Sequence, residues 1–260
     1  MSRIKQSFCY PCFVRGNDLS IEQLIEGAAH IGYAGIELWA RADIPFDEIV
    51  DVAAKHSLVI PSMIGHDSLT DGLNKKENHD RIEQELIESI ELASNLGIPG
   101  LVCFSGNREG LRDDAGIDIV ADGLNKVKGV AEEKGVTLNL ELLNSKVNHP
   151  DYQCDSTAWG VEVCKRVDSP RVKLLYDIYH MQIMEGNLIT TILESSQYIG
   201  HYHTAGVPGR HDLDELQEIN YPAVMCAIAD SGYDLYVGHE FTPKGDQIEA
   251  LRAAFAVCSV

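Results

Sequence analysis

Residues 171–182, RVKLLYDIYHMQ, carry the reading that decides the fold. Val172, Leu174, Leu175 and Tyr176 make a run suited to a buried strand. Asp177 follows at once, and His180 three residues later. A carboxylate at the end of an apolar run is costly unless something positive meets it. The stretch therefore reads as a strand that ends on a chemically committed residue.

The same layout recurs on both sides. Short apolar runs lie at residues 4–10, 35–40, 58–66, 100–106, 136–144, 172–180, 198–206 and 235–241. Amphipathic stretches at helical spacing lie near 21–30, 46–55, 77–96, 117–134, 158–167, 189–195, 222–230 and 247–258. Strands alternating with helices imply right-handed βαβ units and a parallel sheet. Eight units in this length predict one (β/α)₈ barrel domain of class α/β, spanning residues 1–260. An open doubly wound sheet would show a glycine-rich first turn, and no GxGxxG follows the first run. HIGYAG, NLGIPG, EKGV and DSGYD put glycine where helices end before the next strand.

The formal net charge is −19, which opposes binding to nucleic acid or an anionic membrane surface. No apolar run approaches the ~20 residues of a membrane span. The opening residues lack an apolar signal core, so a cytoplasmic location is expected. Seven scattered cysteines form no disulfide framework. Cys9 and Cys12 in CYPC have CxxC spacing, but without a second pair they read as strand-end wall near a pocket. GNREG around Arg108 reads as a plain loop. Glu83, Glu88 and Glu91 read as a solvated helix face.

Active sites of such barrels are built from the C-terminal ends of the strands. There the chain places Glu37 and Trp39, His66 and Asp67, Glu141 and Asn144, Asp177 and His180, His201 and His203, and His239 and Glu240. Glu141, Asp177, His203 and Glu240 end four consecutive strands, which one rim would bring together. Three packed carboxylates repel, and a divalent cation removes the conflict. Three oxygens and one imidazole suit Mn²⁺, Mg²⁺ or Co²⁺ better than structural Zn²⁺. Phe8, Tyr10, Phe13, Glu37, Trp39, Met63 and His66 would set substrate specificity from the first three strands.

LNLELLN (residues 138–144), YDIYHMQ (176–182), GHYHTAGVPGRHDLDELQEINYPAV (200–224) and GHEF (238–241) resemble the hydroxypyruvate isomerase branch of the xylose isomerase-like barrels. That superfamily also holds ketose 3-epimerases, inosose dehydratases and endonuclease IV. The resemblance implies metal ligands at Glu141, Asp177, His203 and Glu240, with Glu141 and Glu240 doubling as the acid/base pair. It implies substrate contacts at His180 and Arg210, and we add His66. The expected substrate is a small carbohydrate or a hydroxy or oxo acid, and the expected assembly, by analogy, a homo-oligomer. The expected chemistry is aldose–ketose isomerisation by proton transfer next to a carbonyl. Ketose 3-epimerisation and dehydration of the inosose or dehydroshikimate type stay open. Endonuclease activity is opposed by the acidity.

Overall fold

Each apolar run becomes a short strand, with at least one helix packed behind the sheet between successive strands. The structure, a computed structural model, describes residues 3–14, 19–39 and 44–260. Ala40, the last residue of the second run, lies outside them. In chain order the elements are β1 (Lys5–Cys9), α1 (Tyr10–Phe13), α2 (Ile21–Ile31), β2 (Gly35–Glu37), α3 (Phe46–Lys55), β3 (Ser62–Ile64), α4 (His79–Leu96), β4 (Gly100–Cys103) and α5 (Asp113–Lys134). They continue as β5 (Thr137–Glu141), α6 (Thr157–Val167), β6 (Val172–Asp177), α7 (Ile178–Met184), α8 (Leu188–Ser195), β7 (Ile199–Thr204), α9 (Tyr221–Asp230), β8 (Tyr236–His239) and α10 (Gln247–Cys258).

Among the described residues the sheet runs β2-β1-β8-β7-β6-β5-β4-β3, and its ladders are parallel. Among the described residues, β2 and the chain leading into β3 meet through the isolated pairs Gly35–Val59 and Leu38–Met63 rather than a ladder. Ile36 N–H donates to Val59 O at 3.0 Å and Leu38 N–H to Ser62 O at 3.1 Å, which brings the ring nearly closed. The barrel expected from the alternating pattern is the fold observed. No described helix is long and apolar enough to cross a membrane.

Local chemistry explains the element ends. Ser20 and Gln23 form a reciprocal capping box at the start of α2. Gly32, Gly97, Gly135 and Gly232, the four glycines read as helix ends, all take positive φ. Every strand is shorter than its apolar run, and two of them stop where a helix starts at once. β1 stops at Cys9, and Pro11 sits in the first turn of α1. β6 stops at Asp177, whose Oδ1 accepts from His180 N–H at 3.1 Å and so caps α7. His180 is therefore a helix residue rather than the tip of a strand.

The apolar core lies mainly between helices and sheet, where Ile25, Ile90, Leu124 and Val163 are fully buried. Polar groups are also buried on this helix-facing side of the sheet, where Gln6 Nε2 donates to Phe255 O of α10 at 3.2 Å. His239 bridges Thr204 Oγ1 (2.7 Å) and Gln6 Oε1 (2.9 Å). Such groups are tolerated inside because they are paired.

The long connection after β7 is anchored by Tyr221 at the start of α9. Its hydroxyl donates to Ala205 O at 2.7 Å and accepts from Ala205 N–H at 3.0 Å. Removing it leaves two buried backbone groups unpaired. Tyr221→Phe is expected to lower unfolding free energy by about 1–3 kcal/mol in urea titrations; an unchanged midpoint would show that the anchor carries no weight.

Candidate active site

Strand register assembles the site. Asp177 pairs with His203 between β6 and β7, and His203 with Gly238 between β7 and β8. Glu141 ends β5, paired with Leu175 of β6, and Glu240 follows the last residue of β8. One donor atom from each of Glu141, Asp177, His203 and Glu240 lies within 4.8 Å of the others, and all four residues are buried. His203 Nδ1 stands 3.1 Å from Glu240 Oε2 and 3.8 Å from Glu141 Oε1. The structure thus brings together the four residues read as ligands.

Their electrostatics are unbalanced. Burial, then the charge of Glu240, pushes the Glu141 carboxyl up to about 8. Burial also raises Asp177, against the pull of Arg210. Burial would raise Glu240 as well, but Arg210 and His203 hold it below the usual carboxylate range. Burial opposes charge on His203, yet the surrounding anionic groups raise its pKa well above the ordinary imidazole value. Three carboxyls and one imidazole with open faces suit a divalent ion, and the buried, crowded oxygens are the physical sign of that fit.

Arg210 is the other positive group. Its guanidinium pairs closely with Glu240 and lies 3.7 Å from Asp177 Oδ2. It is offered by a residue with φ of 60°, just after Gly209 with φ of 96°. Arg210 N–H donates to Gly206 O at 2.9 Å, and its carbonyl accepts from Thr242 N–H at 2.9 Å. Both backbone groups are thereby tied down.

His180 is fully buried. Asn144 N–H donates to its Nδ1 at 3.1 Å, so in the neutral ring the proton sits on Nε2. Burial, then Arg210, lowers its pKa well below the ordinary value and keeps it neutral. Nε2 has no hydrogen-bond partner and lies 3.6 Å from Asp177 Oδ2. A buried, unused N–H beside the cluster is suited to a substrate oxygen.

A cavity of about 150 Å³ opens onto the cluster. Glu141, His203, Arg210 and Glu240 form its polar side, and Trp39, Ile64, Val102, Phe104 and Leu143 part of its apolar wall. Cys9 and Trp39 line it, whereas Cys12, read with Cys9 as part of a pocket wall, is not among the lining residues. His66 stands apart from that lining: its Nε2 accepts from Phe104 N–H at 3.0 Å. Phe8 and Phe13 pack edge-on with centroids 5.6 Å apart, and Phe13 on Phe241 at 5.1 Å. These aromatics serve packing. His149, not singled out in the sequence, lines the cavity with its ring centroid 5.3 Å from that of His180. It comes from the irregular segment after β5, where no periodic pattern marks a site residue. Arg108, read as part of a plain loop, pairs with Asp155 at 2.8 Å and donates to Tyr152 O.

Beneath the cluster lies Glu37, which the sequence had suggested for specificity. Its carboxylate meets His201 Nε2 at 3.0 Å and His203 Nε2 at 2.9 Å. Burial would raise its pKa, but the two histidines hold it well below the usual range.

A nearly closed eight-stranded barrel with acids and a histidine gathered at its C-terminal rim defines the class: an α/β barrel with a candidate metal centre. Residues 25–257 match the model of the xylose isomerase-like TIM barrel family, and the chain belongs to that family. It is 31% identical over 176 residues to a putative hydroxypyruvate isomerase of Homo sapiens, covering 64% of this chain and 62% of that protein. It is also 31% identical over 176 residues to a 2-oxo-tetronate isomerase of Pectobacterium atrosepticum, covering 66% of each. The chain thus spans less than two thirds of the length of these relatives. A solved structure described as an AP endonuclease, family 2, from Brucella melitensis superposes with a TM-score of 0.83 and 25% identity, over 99% of this chain and 100% of that one.

The charge imbalance has a measurable sign. Glu141, Asp177 and His203 all have raised folded pKa values. Each favours the protonated folded state, so its stabilisation is present at low pH and lost as pH rises through the folded value. Glu240 has the opposite sign, but its contribution is lost only in strong acid, near its folded value of about 2. With a chelator present, the melting temperature is expected to fall between about pH 6 and pH 9, and Glu141→Gln to flatten that fall. A flat profile for the unsubstituted protein would contradict the imbalance.

Proposed function

We propose that the protein is a divalent-metal-dependent isomerase of small sugars or of 2-oxo and hydroxy acids. One observation carries the reading: Glu141, Asp177, His203 and Glu240 gather in one cluster, and three of them, Glu141, His203 and Glu240, line a cavity together with Arg210. The names of the two isomerase relatives support the reaction class.

Glu141, Asp177, His203 and Glu240 would hold the ion. When bound it would act as a Lewis acid, stabilising negative charge that develops on a carbonyl oxygen. The residues of the chain do the rest. Glu141 and Glu240 move the proton at the carbon beside the carbonyl. Asp177 and His203 serve as ligands only. His180 donates its free Nε2–H to a substrate oxygen. Arg210 suits capture of a carboxylate, because a guanidinium can present two parallel donors. Val102, Phe104 and Leu143 shield the reacting carbon from water.

The test is a panel of ketoses, 2-oxo acids and inososes assayed with Mn²⁺, Mg²⁺ and Co²⁺. Isomerised product and exchange of the substrate proton with solvent are expected, both abolished by a chelator and restored by metal. Glu141→Gln and Glu240→Gln are each expected to lower the exchange rate by about 10²–10⁴-fold. Full exchange in both variants would sink the acid/base assignment. A conjugated enone absorbing in the ultraviolet would replace isomerisation by dehydration.

A further inference from the structure

The orientation of His203 is set from below the cluster. β7 points His201 and His203, two residues apart, to the same side of the strand. Both bring Nε2 to a single oxygen, Glu37 Oε2, at 3.0 and 2.9 Å. The other oxygen, Oε1, accepts from Ser7 Oγ on β1. An ionised carboxylate only accepts, so both rings present N–H at Nε2. For His203 this leaves Nδ1 facing Glu141 and Glu240.

The space for this contact is built into the barrel. Gly238 on β8 pairs with both Ser7 and His203. A Cβ at 238 would run into Glu37 Oε1 and lie 3.0 Å from His203 Cδ2. Glycine at this point is what admits the carboxylate. Cys9 Sγ stands 3.9 Å from both Glu37 Oε2 and His203 Nε2.

We infer that Glu37 is a positioning residue for the metal centre: through Nε2 it holds His203 in the tautomer and ring orientation whose Nδ1 lone pair faces the ion. The inference rests on the reading of Glu141, Asp177, His203 and Glu240 as that centre. A carboxylate on the far nitrogen of a ligating histidine fixes its tautomer and raises its basicity. Cys9, Glu37 and His203 are also close enough to hold an ion of their own. That ion would need the Nε2 lone pair of His203, whereas the 2.9 Å separation is that of an N–H···O bond.

The test titrates Co²⁺ into the unsubstituted protein, Glu37→Gln, Gly238→Ala and Ser7→Ala, reading affinity by chelator competition and the visible absorption band. Glu37→Gln keeps the shape but offers one accepting oxygen to two histidines. Gly238→Ala keeps Glu37 and all four ligands but displaces the carboxylate. Ser7→Ala loosens it without adding bulk, and carries the test should the other two fail to fold. One Co²⁺ per chain is expected for the unsubstituted protein. Affinity is expected to fall by about 10–100-fold in Glu37→Gln and Gly238→Ala, with a shifted band, and less in Ser7→Ala. Unchanged affinity and band in the folded variants would overturn the role of Glu37 and leave the centre standing. No Co²⁺ bound by the unsubstituted protein would overturn the centre, and this inference with it. Two Co²⁺ per chain, one of them lost in Cys9→Ser, would assign Glu37 to a second metal site instead.

Discussion

Three buried carboxyls share one imidazole and one guanidinium, and the structure is organised around that shortage of positive charge. Glu141, Asp177 and Glu240 lie too close to remain ionised together without a cation among them. Arg210 supplies part of the balance by reaching Glu240 and Asp177 from the connection after β7. Its backbone takes a left-handed conformation to do so, held by hydrogen bonds to Gly206 and Thr242. A fold selected for stability alone would gain by replacing such a cluster with apolar side chains. Its retention fits a site where function outweighs local stability.

The polar character continues below the cluster. Ser7, Glu37, His201 and His203 are all buried, yet the Glu37 carboxylate accepts from each of the other three. The network is acceptable because it is fully connected; a single missing partner would leave a buried charge exposed to its own desolvation. Register makes it possible: parallel strands stand about 4.8 Å apart, so inward side chains of one layer meet across the barrel. Gly238 then gives up its side chain so that Glu37 can fit.

Much of this was legible in the sequence, for a physical reason. Asp177 interrupts an apolar run, and burial of a carboxylate there demands an explanation. Three more strands end with an acid or a histidine, and strand adjacency converts that list into a cluster. His66 shows the limit. It also follows an apolar run, yet its Nε2 is taken by the backbone of Phe104, a partner that only the fold reveals. Glu37 was visible as a strand-end acid, but its depth was not, because β2 is three residues long and its inward face depends on its neighbours. His149 lies in an irregular segment, where neither a 3.6 nor a 2.0 period marks the inward side. The switch from strand to helix at Asp177 was hidden because capping residue and proposed ligand are the same side chain.

That double use of Asp177 links architecture to chemistry. Oδ1 accepts from His180 N–H and starts α7, while Oδ2 faces Arg210 and His180 Nε2. Capping fixes the carboxylate plane, and a fixed plane leaves Oδ2 one direction to serve. The same turn carries His180 inward, where Asn144 occupies Nδ1 and commits the proton to Nε2. The rim therefore offers two kinds of donor: a neutral N–H whose state burial fixes, and a permanent cation already engaged with Glu240. An ion binding Glu240 and Asp177 would compete with the guanidinium for the same oxygens. Arg210 would then need another anion, and the cavity it lines is where one would enter.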